Sequence, residues 1–249
     1  MKNVFEAADT RRKQARKRSL CVINEHSEPA FNTAAATQIV FQRPVSGLYA
    51  ITPDFESTDD LLDKTRQVLE GGAQLVQYRN KSANKVLLRE QAESLLQLCR
   101  KHQVPLIIND HVDLAMEIDA DGVHVGQNDA AVTHARKQLG RDKIVGASCY
   151  NNGDLALRAE KQGADYVAFG AFFPSLTKPD ALSVTADLVA SVRKKIAIPI
   201  VGIGGIRLTN AAAVIQSECA AIAVCNDLFH TENSKVKAAQ FAQLFAVTI

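Results

Sequence analysis

An excess of charge of either sign is missing from this sequence: 29 Lys and Arg face 27 Asp and Glu, which leaves +2 at pH 7. That balance builds no global positive field of the kind that gathers nucleic acid, so no nucleic-acid partner is expected and any affinity for phosphate must be local. Cysteine is sparse and unpatterned. Cys21, Cys99, Cys149, Cys219 and Cys225 are odd in number and form no CxxC or CxxH spacing, so a disulfide framework or a cysteine metal site is not indicated. They read as reduced thiols of a cytoplasmic protein. No apolar run approaches the roughly 18 to 20 residues of a membrane span, and the basic N-terminus is not followed by the apolar core of a signal peptide. Nor does any Ser or Cys sit in a nucleophile elbow or protease-type signature, which disfavours covalent hydrolysis.

What is present is a globular balance: 47% hydrophobic and 22% charged residues exclude disorder of the whole and supply a sizeable core. A single barrel domain of about 250 residues is compatible with the length. Residues 1–45 stand apart as an N-terminal extension without sustained periodicity, carrying the basic run RRKQARKR from Arg11 to Arg18. A helix exposing its charges or a disordered tail is the plain reading, and a partner-binding arm is the other. Glu6, Asp9, Glu25 and Glu28 count against an organelle-import leader.

The rhythm changes from Gly47 onward. Eight short apolar runs follow one another: GLYAIT from Gly47, AQLVQY from Ala73, PLIIN from Pro105, GVHV from Gly122, KIVGAS from Lys143, YVAFG from Tyr166, PIVGIG from Pro199 and AIAV from Ala221. Each precedes a segment of helical periodicity. In the first, Leu61, Leu62, Thr65, Val68 and Leu69 form one stripe, Asp59 and Asp60 favour the helix N-terminus, and Gly71 with Gly72 ends it. Leu87, Leu88, Ala92, Leu95, Leu96 and Cys99 repeat the pattern, as do Ala238, Phe241, Ala242 and Phe245 near the end. Eight βα units with continuously apolar strands predict an α/β fold, a closed parallel (β/α)8 TIM barrel over residues 46–249; a doubly wound open sheet is the structural alternative.

In a barrel the chemistry sits at the C-terminal ends of the strands, and polar residues concentrate there. Arg79 and Lys81 alternate, so on an extended segment they point the same way, and Lys178 joins them from another loop. Three cations at one mouth suit a polyanion, Arg forking onto phosphate oxygens and Lys acting as a point charge. Asp110 and Asp129 follow adjacent strands, so their carboxylates are candidates for one Mg²⁺ completed by substrate phosphate oxygens, with helix N-capping as the structural alternative for each. GIGGI, from Gly202 to Ile206, leads toward a helix starting near Thr209 or Asn210; glycines there let the backbone approach a phosphate. Cations positioned on a departing phosphate-type leaving group stabilise the transition state more than the ground state. At about 1.5 to 3 kcal/mol per hydrogen bond to a charged group, three supply roughly 5 to 9 kcal/mol as a non-additive upper bound. His124, within the fourth run, reads as a satisfied core histidine or one pointing into the site, and His111 as exposed.

QYRNK (Gln77 to Lys81), IND (Ile108 to Asp110), DGVHVGQND (Asp121 to Asp129), FGAFFPSLTK (Phe169 to Lys178) and GIGGI, in that order, resemble the thiamine phosphate synthase family from about Gly47 to the end. The resemblance implies a Mg²⁺-dependent transferase that joins hydroxymethylpyrimidine diphosphate to hydroxyethylthiazole phosphate and releases pyrophosphate. By matching positions, Arg79, Lys81, Asn109, Ser148 and Lys178 would hold the diphosphate, with Arg79, Lys81, Ser148 and Lys178 as the catalytic set. Asp110 and Asp129 would hold Mg²⁺, Gln77 would contact the pyrimidine, and Ser175, Thr177 and the backbone of Gly204 and Gly205 would seat the thiazole phosphate. The implied chemistry is ionisation to a stabilised pyrimidine methylene cation, captured by the thiazole nitrogen, which needs positioning rather than a strong base.

Four departures from the family pattern stand out. Ser175 replaces Thr and keeps the hydroxyl. Ala171 replaces Pro or an Ile-like residue, Pro53 stands where Asp is frequent, and Val224, Cys225, Asn226, Asp227 replace VVSA. An acidic Asp227 repels a nearby phosphate unless its side chain turns away. The alternatives are a thiazole tautomerase-like relative, which does not need the full cation set, and a non-catalytic phosphate-ligand sensor. Small molecules are the expected partners, with no membrane partner, and association into a homo-oligomer is left open.

Overall fold

The computed structural model describes residues 45–126, 129–174 and 183–246, and of residues 129 and 130 only the backbone. Eight strands, β1 (Gly47–Ile51), β2 (Leu75–Tyr78), β3 (Leu106–Asn109), β4 (Gly122–Val125), β5 (Ile144–Tyr150), β6 (Tyr166–Phe169), β7 (Ile200–Ile203) and β8 (Ala221–Val224), pair in parallel and in sequence order. Closure rests on β1, which pairs with β2 and also with β8 through Gly47↔Ala221 to Ala50↔Val224. An open doubly wound sheet leaves β1 and β8 unpaired, so that alternative is set aside. Around the barrel lie α1 (Thr58–Glu70), α2 (Lys85–Lys101), α3 (Val112–Glu117), α4 (Asp129–Leu139), α5 (Gly153–Lys161), α6 (Ala186–Arg193), α7 (Ala211–Gln216), α8 (Asn226–Phe229) and α9 (Ser234–Ala246).

Local chemistry explains these elements. The Ser57 side chain accepts from Asp60 N to cap α1, Asp59 and Asp60 occupy its first turn, and Leu61, Thr65, Val68 and Leu69 are buried. Each such aliphatic side chain contributes about 1.5–3 kcal/mol by leaving water. Asn84 caps α2 by accepting from Val86 N and Leu87 N.

Side chains alternate along each strand. Leu48, Ala50, Val76, Leu106 and Ile108 join the large core between strands and helices, while Tyr49, Ile51, Leu75, Ile107, Ile144, Tyr166, Ala168, Val201, Ala221 and Ala223 fill a smaller core inside the barrel. Large inner residues need small neighbours. A Cβ on Gly146 would stand 2.0 Å from the Tyr166 ring, so glycine at this position makes room for that ring. Val45, one residue before the expected boundary at 46, is buried against the inner core. Residues 1–44 lie outside the described residues, as does the expectation for the extension. No helix among the described residues is long and apolar enough to cross a membrane.

Candidate active site

The C-terminal ends of β1 and β2 are tied together by side chains that hold the loop carrying the first two cations. Thr52, fully buried, accepts from Arg79 N at 3.0 Å and donates to Arg79 O at 3.1 Å. Asp54 Oδ1 accepts from Arg79 Nη1 and from Lys81 N, each at 3.2 Å. Next to them, Asn80 donates to Phe55 O at 2.7 Å and to Gln91 Oε1 at 3.0 Å, while its own carbonyl accepts from Ser82 and Ala83. Gln91, buried on α2, also accepts from Tyr78 Oη at 2.8 Å. A backbone fixed on both sides leaves the Arg79 guanidinium half-buried and Lys81 exposed at the mouth.

Asn109 ends β3 and donates to Asp110 Oδ2 at 2.8 Å. Asp110 is exposed and has φ +64°, a left-handed conformation that Asp tolerates better than most residues. Its N–H donates to His124 O at 2.8 Å, which extends the β3–β4 pairing to the rim. The N-cap position of α3 belongs to His111, which is exposed as expected, so capping does not account for Asp110. Asp129 is the first residue of α4; its side chain lies outside what is described.

His124 is buried inside the barrel, yet it is bound to the rim. Its Nε2 lies 2.8 Å from Ser148 Oγ and its Nδ1 2.9 Å from Tyr166 Oη, with the two rings stacked. The two readings of His124 as core residue and as site-facing residue are therefore both met. Burial lowers its pKa to about 4, the nearby Asp110 charge opposing, so the ring is neutral near pH 7. Beyond Tyr166, the Tyr49 hydroxyl follows at 2.8 Å, and Gln77 Nε2 donates to it at 2.8 Å. Burial pushes both phenols well above their ordinary value, so both remain protonated.

At the β7 end, Gly204 and Gly205 have φ +99° and +64°. A Cβ on Gly204 would stand 2.5 Å from Ala171 Cβ, and one on Gly205 would stand 2.6 Å from Phe173 O. Phe172 N and Phe173 N donate to Ile203 O and Gly204 O, so the segment ending at Pro174 is held against this glycine turn. The small Ala171 side chain is what lets the two loops meet. Ser175, Thr177 and Lys178 lie outside the described residues, as do Gln127 and Asn128.

After β8, the Asp227 carboxylate accepts from Leu208 N at 2.9 Å and lies 3.7 Å from Lys237 Nζ. Backbone N–H and ammonium thus engage the Asp227 charge. Cys225 faces the inner core, its thiol pushed up to about 11 by burial. The structure offers no account of Pro53.

Gln77, Arg79, Lys81, Asn109, Asp110, Ser148, Gly204 and Gly205 thus share one end of the barrel, contributed by β2, β3, β5, β7 and the loops that follow. Sequence reasoning missed Tyr49, Thr52, Asp54, Gln91 and Tyr166. For the two tyrosines a signal existed, since they have the same inward parity as Gln77, His124 and Ser148 once the register is known. Thr52, Asp54 and Gln91 carry no comparable pattern.

With this geometry in place, the comparisons with known proteins are consistent. Residues 48–228 match the family model for thiamine monophosphate synthase. A thiamine-phosphate synthase of Nitrosospira multiformis is 52% identical over 204 residues, 82% of this chain and 87% of that protein. One of Nitrosomonas eutropha is 54% identical over 201 residues, 81% of this chain and 95% of its own length. Among solved structures, thiamine phosphate pyrophosphorylase from Pyrococcus furiosus superposes with a TM-score of 0.72 at 32% identity, covering 81% of this chain and 96% of that one.

Proposed function

The chain belongs to the thiamine monophosphate synthase family, and from that premise we propose how its residues divide the work of the reaction. The chain is a transferase of thiamine biosynthesis, which condenses hydroxymethylpyrimidine diphosphate with hydroxyethylthiazole phosphate to give thiamine phosphate and pyrophosphate. Arg79, Lys81, Asn109, Ser148 and Lys178 hold the diphosphate. Gln77 orients the pyrimidine, and Ser175, Thr177 and the backbone of Gly204 and Gly205 seat the thiazole phosphate. The observation that carries this division is the loop after β2, pinned by Thr52 and Asp54 so that a guanidinium and an ammonium stand at the same mouth as Asn109, Ser148 and the glycine turn.

The carbon–oxygen bond of the pyrimidine methylene breaks, its electron pair leaves with pyrophosphate, and the thiazole nitrogen supplies the pair for the new carbon–nitrogen bond. No net proton transfer is needed, which agrees with a buried His124 that is neutral near pH 7. Arg79, Lys81 and Lys178 oppose the charge that builds on the leaving group, and Ser148 and Asn109 donate to its oxygens. Orientation of the two substrates supplies the rest.

A Mg²⁺ ion fits the donor set. Asp110 is exposed and spends one oxygen on Asn109, and Asp129 heads α4 after the adjacent strand, so hard oxygen ligands from both sides could meet a diphosphate. When bound, the ion would neutralise charge on the diphosphate oxygens. A thiazole tautomerase does not need the cation set kept here, and that set favours the synthase. We also infer the cytoplasm as compartment, supported by Cys99, Cys149, Cys219 and Cys225, all free.

Purified protein given both phosphorylated substrates and Mg²⁺ is expected to release thiamine phosphate and pyrophosphate, and a chelator is expected to stop it. No product under conditions where both ligands bind defeats this reading and leaves the phosphate-ligand sensor.

A further inference from the structure

Beneath the mouth, side chains from five different strands hand hydrogen bonds across the barrel interior: Gln77 on β2, Tyr49 on β1, Tyr166 on β6, His124 on β4 and Ser148 on β5. The first four are buried to 7% exposure or less, so no water competes for their protons. Only Ser148 is part-exposed, at the end that opens on the mouth. Glycine at 146 leaves the space that Tyr166 fills, so the link in the middle depends on the packing of two strands.

A neutral imidazole has one N–H and each hydroxyl one proton, so the chain can be filled in only two complete orders. In the first, Gln77 Nε2 donates to Tyr49, Tyr49 to Tyr166, Tyr166 to His124 Nδ1, and His124 Nε2–H to Ser148 Oγ. Ser148 then keeps its own proton for a ligand. In the second order every arrow reverses, Gln77 must turn its carbonyl to Tyr49, and Ser148 spends its proton on His124. Any mixture leaves either a buried donor unpaired or two buried oxygens 2.8 Å apart with no proton between them. The amide of Gln77 stands in the orientation of the first order, donating Nε2–H to Tyr49.

We propose that this chain is a proton-ordered relay through which the amide orientation of Gln77 sets whether Ser148 meets the diphosphate as a hydrogen-bond donor, with Tyr49, Tyr166 and His124 as positioning residues. The inference rests on the reading above that Ser148 faces the diphosphate and Gln77 the pyrimidine. In the first order Gln77 Oε1 is left for a substrate N–H, so a heterocycle with a donor at that place locks the amide. The lock then reaches the other half of the same substrate through four hydrogen bonds. Recognition of the ring and grip on the leaving group become one coupled event, because a ring that offers Gln77 only an acceptor turns the amide, and its diphosphate then meets a serine that spends its proton on His124.

The test uses the full chain with Mg²⁺ and pyrophosphate, a probe that reaches Ser148 and has no ring to touch Gln77. Nitrogen NMR of labelled histidines, with the His124 signals assigned by their absence from His124→Asn, reads the tautomer. Wild type with pyrophosphate is expected to carry the proton on Nε2; a proton on Nδ1 overturns the relay. Gln77→Glu, at pH 8, places a carboxylate that can only accept from Tyr49. It is expected to move the His124 proton to Nδ1 and to weaken pyrophosphate by about tenfold, the scale of one hydrogen bond to a charged group. Adding Tyr166→Phe cuts the chain and should restore most of that loss. If Gln77→Glu leaves the tautomer unchanged, or its loss persists in the cut background, plain charge repulsion is acting and the relay fails. Should Gln77→Glu not fold, the wild-type tautomer alone still decides. Wild type that binds no pyrophosphate overturns the diphosphate reading of Ser148 itself, and the relay with it.

Discussion

At the N-terminal end of the barrel, Asp121 accepts from Leu106 N at 2.8 Å, Asp165 from Val145 N at 2.7 Å, and Glu160 from Ala197 N and Ile198 N at 2.7 and 3.2 Å. Asp165 also pairs with Arg136, and Asp119 with both Lys143 and Arg100. Carboxylates there close the backbone where one strand begins beside another. At the opposite end the charges are used differently. Among the described residues Arg79 has a single carboxylate partner, 3.2 Å away, Lys81 and Asp110 are exposed, and the backbone is bent through Gly204 and Gly205 rather than capped. One end spends its polar groups on itself and holds the fold; the other keeps donors and cations available for a ligand. Between them, the chain from Gln77 to Ser148 is linked by four internal hydrogen bonds, as a stability element should be, yet it terminates at the mouth.

The sharpest break in that comparison is Arg79→Ala. Its half-exposed ion pair with Asp54 contributes little to folding, so unfolding should shift by no more than about 1 kcal/mol, while turnover is expected to fall roughly 100- to 1000-fold, as for loss of one transition-state donor. Equal losses in both assays would make Arg79 structural.

A second test uses acid. The unfolded chain protonates His124 near its ordinary value of about 6.5, whereas the folded chain does so only near 4. Acid therefore favours unfolding: stability is full above about pH 6.5 and falls by up to about 3 kcal/mol as the pH drops toward 4. His124→Gln should flatten urea-unfolding stability across that window. An unchanged slope would mean that His124 is not buried neutral.

At the base, Asp121→Ala strips the acceptor from Leu106 N–H and should cost about 1–3 kcal/mol in urea unfolding with turnover intact. Asp121→Asn keeps an acceptor and should cost less, since burial already raises the Asp121 pKa against its charge. A large loss of turnover in either would erase the division between the two ends. The smallest effect is expected for Asp227→Ala: about 1 kcal/mol of stability from the freed Leu208 N–H, and a KM for the thiazole phosphate changed less than about threefold. A marked drop in that KM would place the carboxylate against the phosphate after all.

Much of the barrel was legible because buried parallel strands demand continuous apolar runs, and all eight strands fall within two residues of the runs read from the sequence. Gln77, Arg79, Lys81, Asn109, Asp110 and Ser148 were legible for a related reason, as polar residues placed where those runs stop. The Gln77 to Ser148 chain was not, because its members are as far apart in sequence as Tyr49 and Tyr166, with 117 residues between their numbers. Nothing local distinguishes a tyrosine whose hydroxyl will meet another strand from one that ends in solvent. The setting of Asp227 was hidden for the same reason, its charge being visible and its partners Leu208 N and Lys237 not.

By itself, then, the order of apolar runs, caps and glycines determined eight successive βα units and the strand ends that would carry the chemistry, since periodicity and local hydrogen bonding act over a few residues. Which carboxylates are neutralised, which phenols meet across the interior, and which way Asp227 turns were decided only by register and closure, because those contacts form between segments that the chain brings together last.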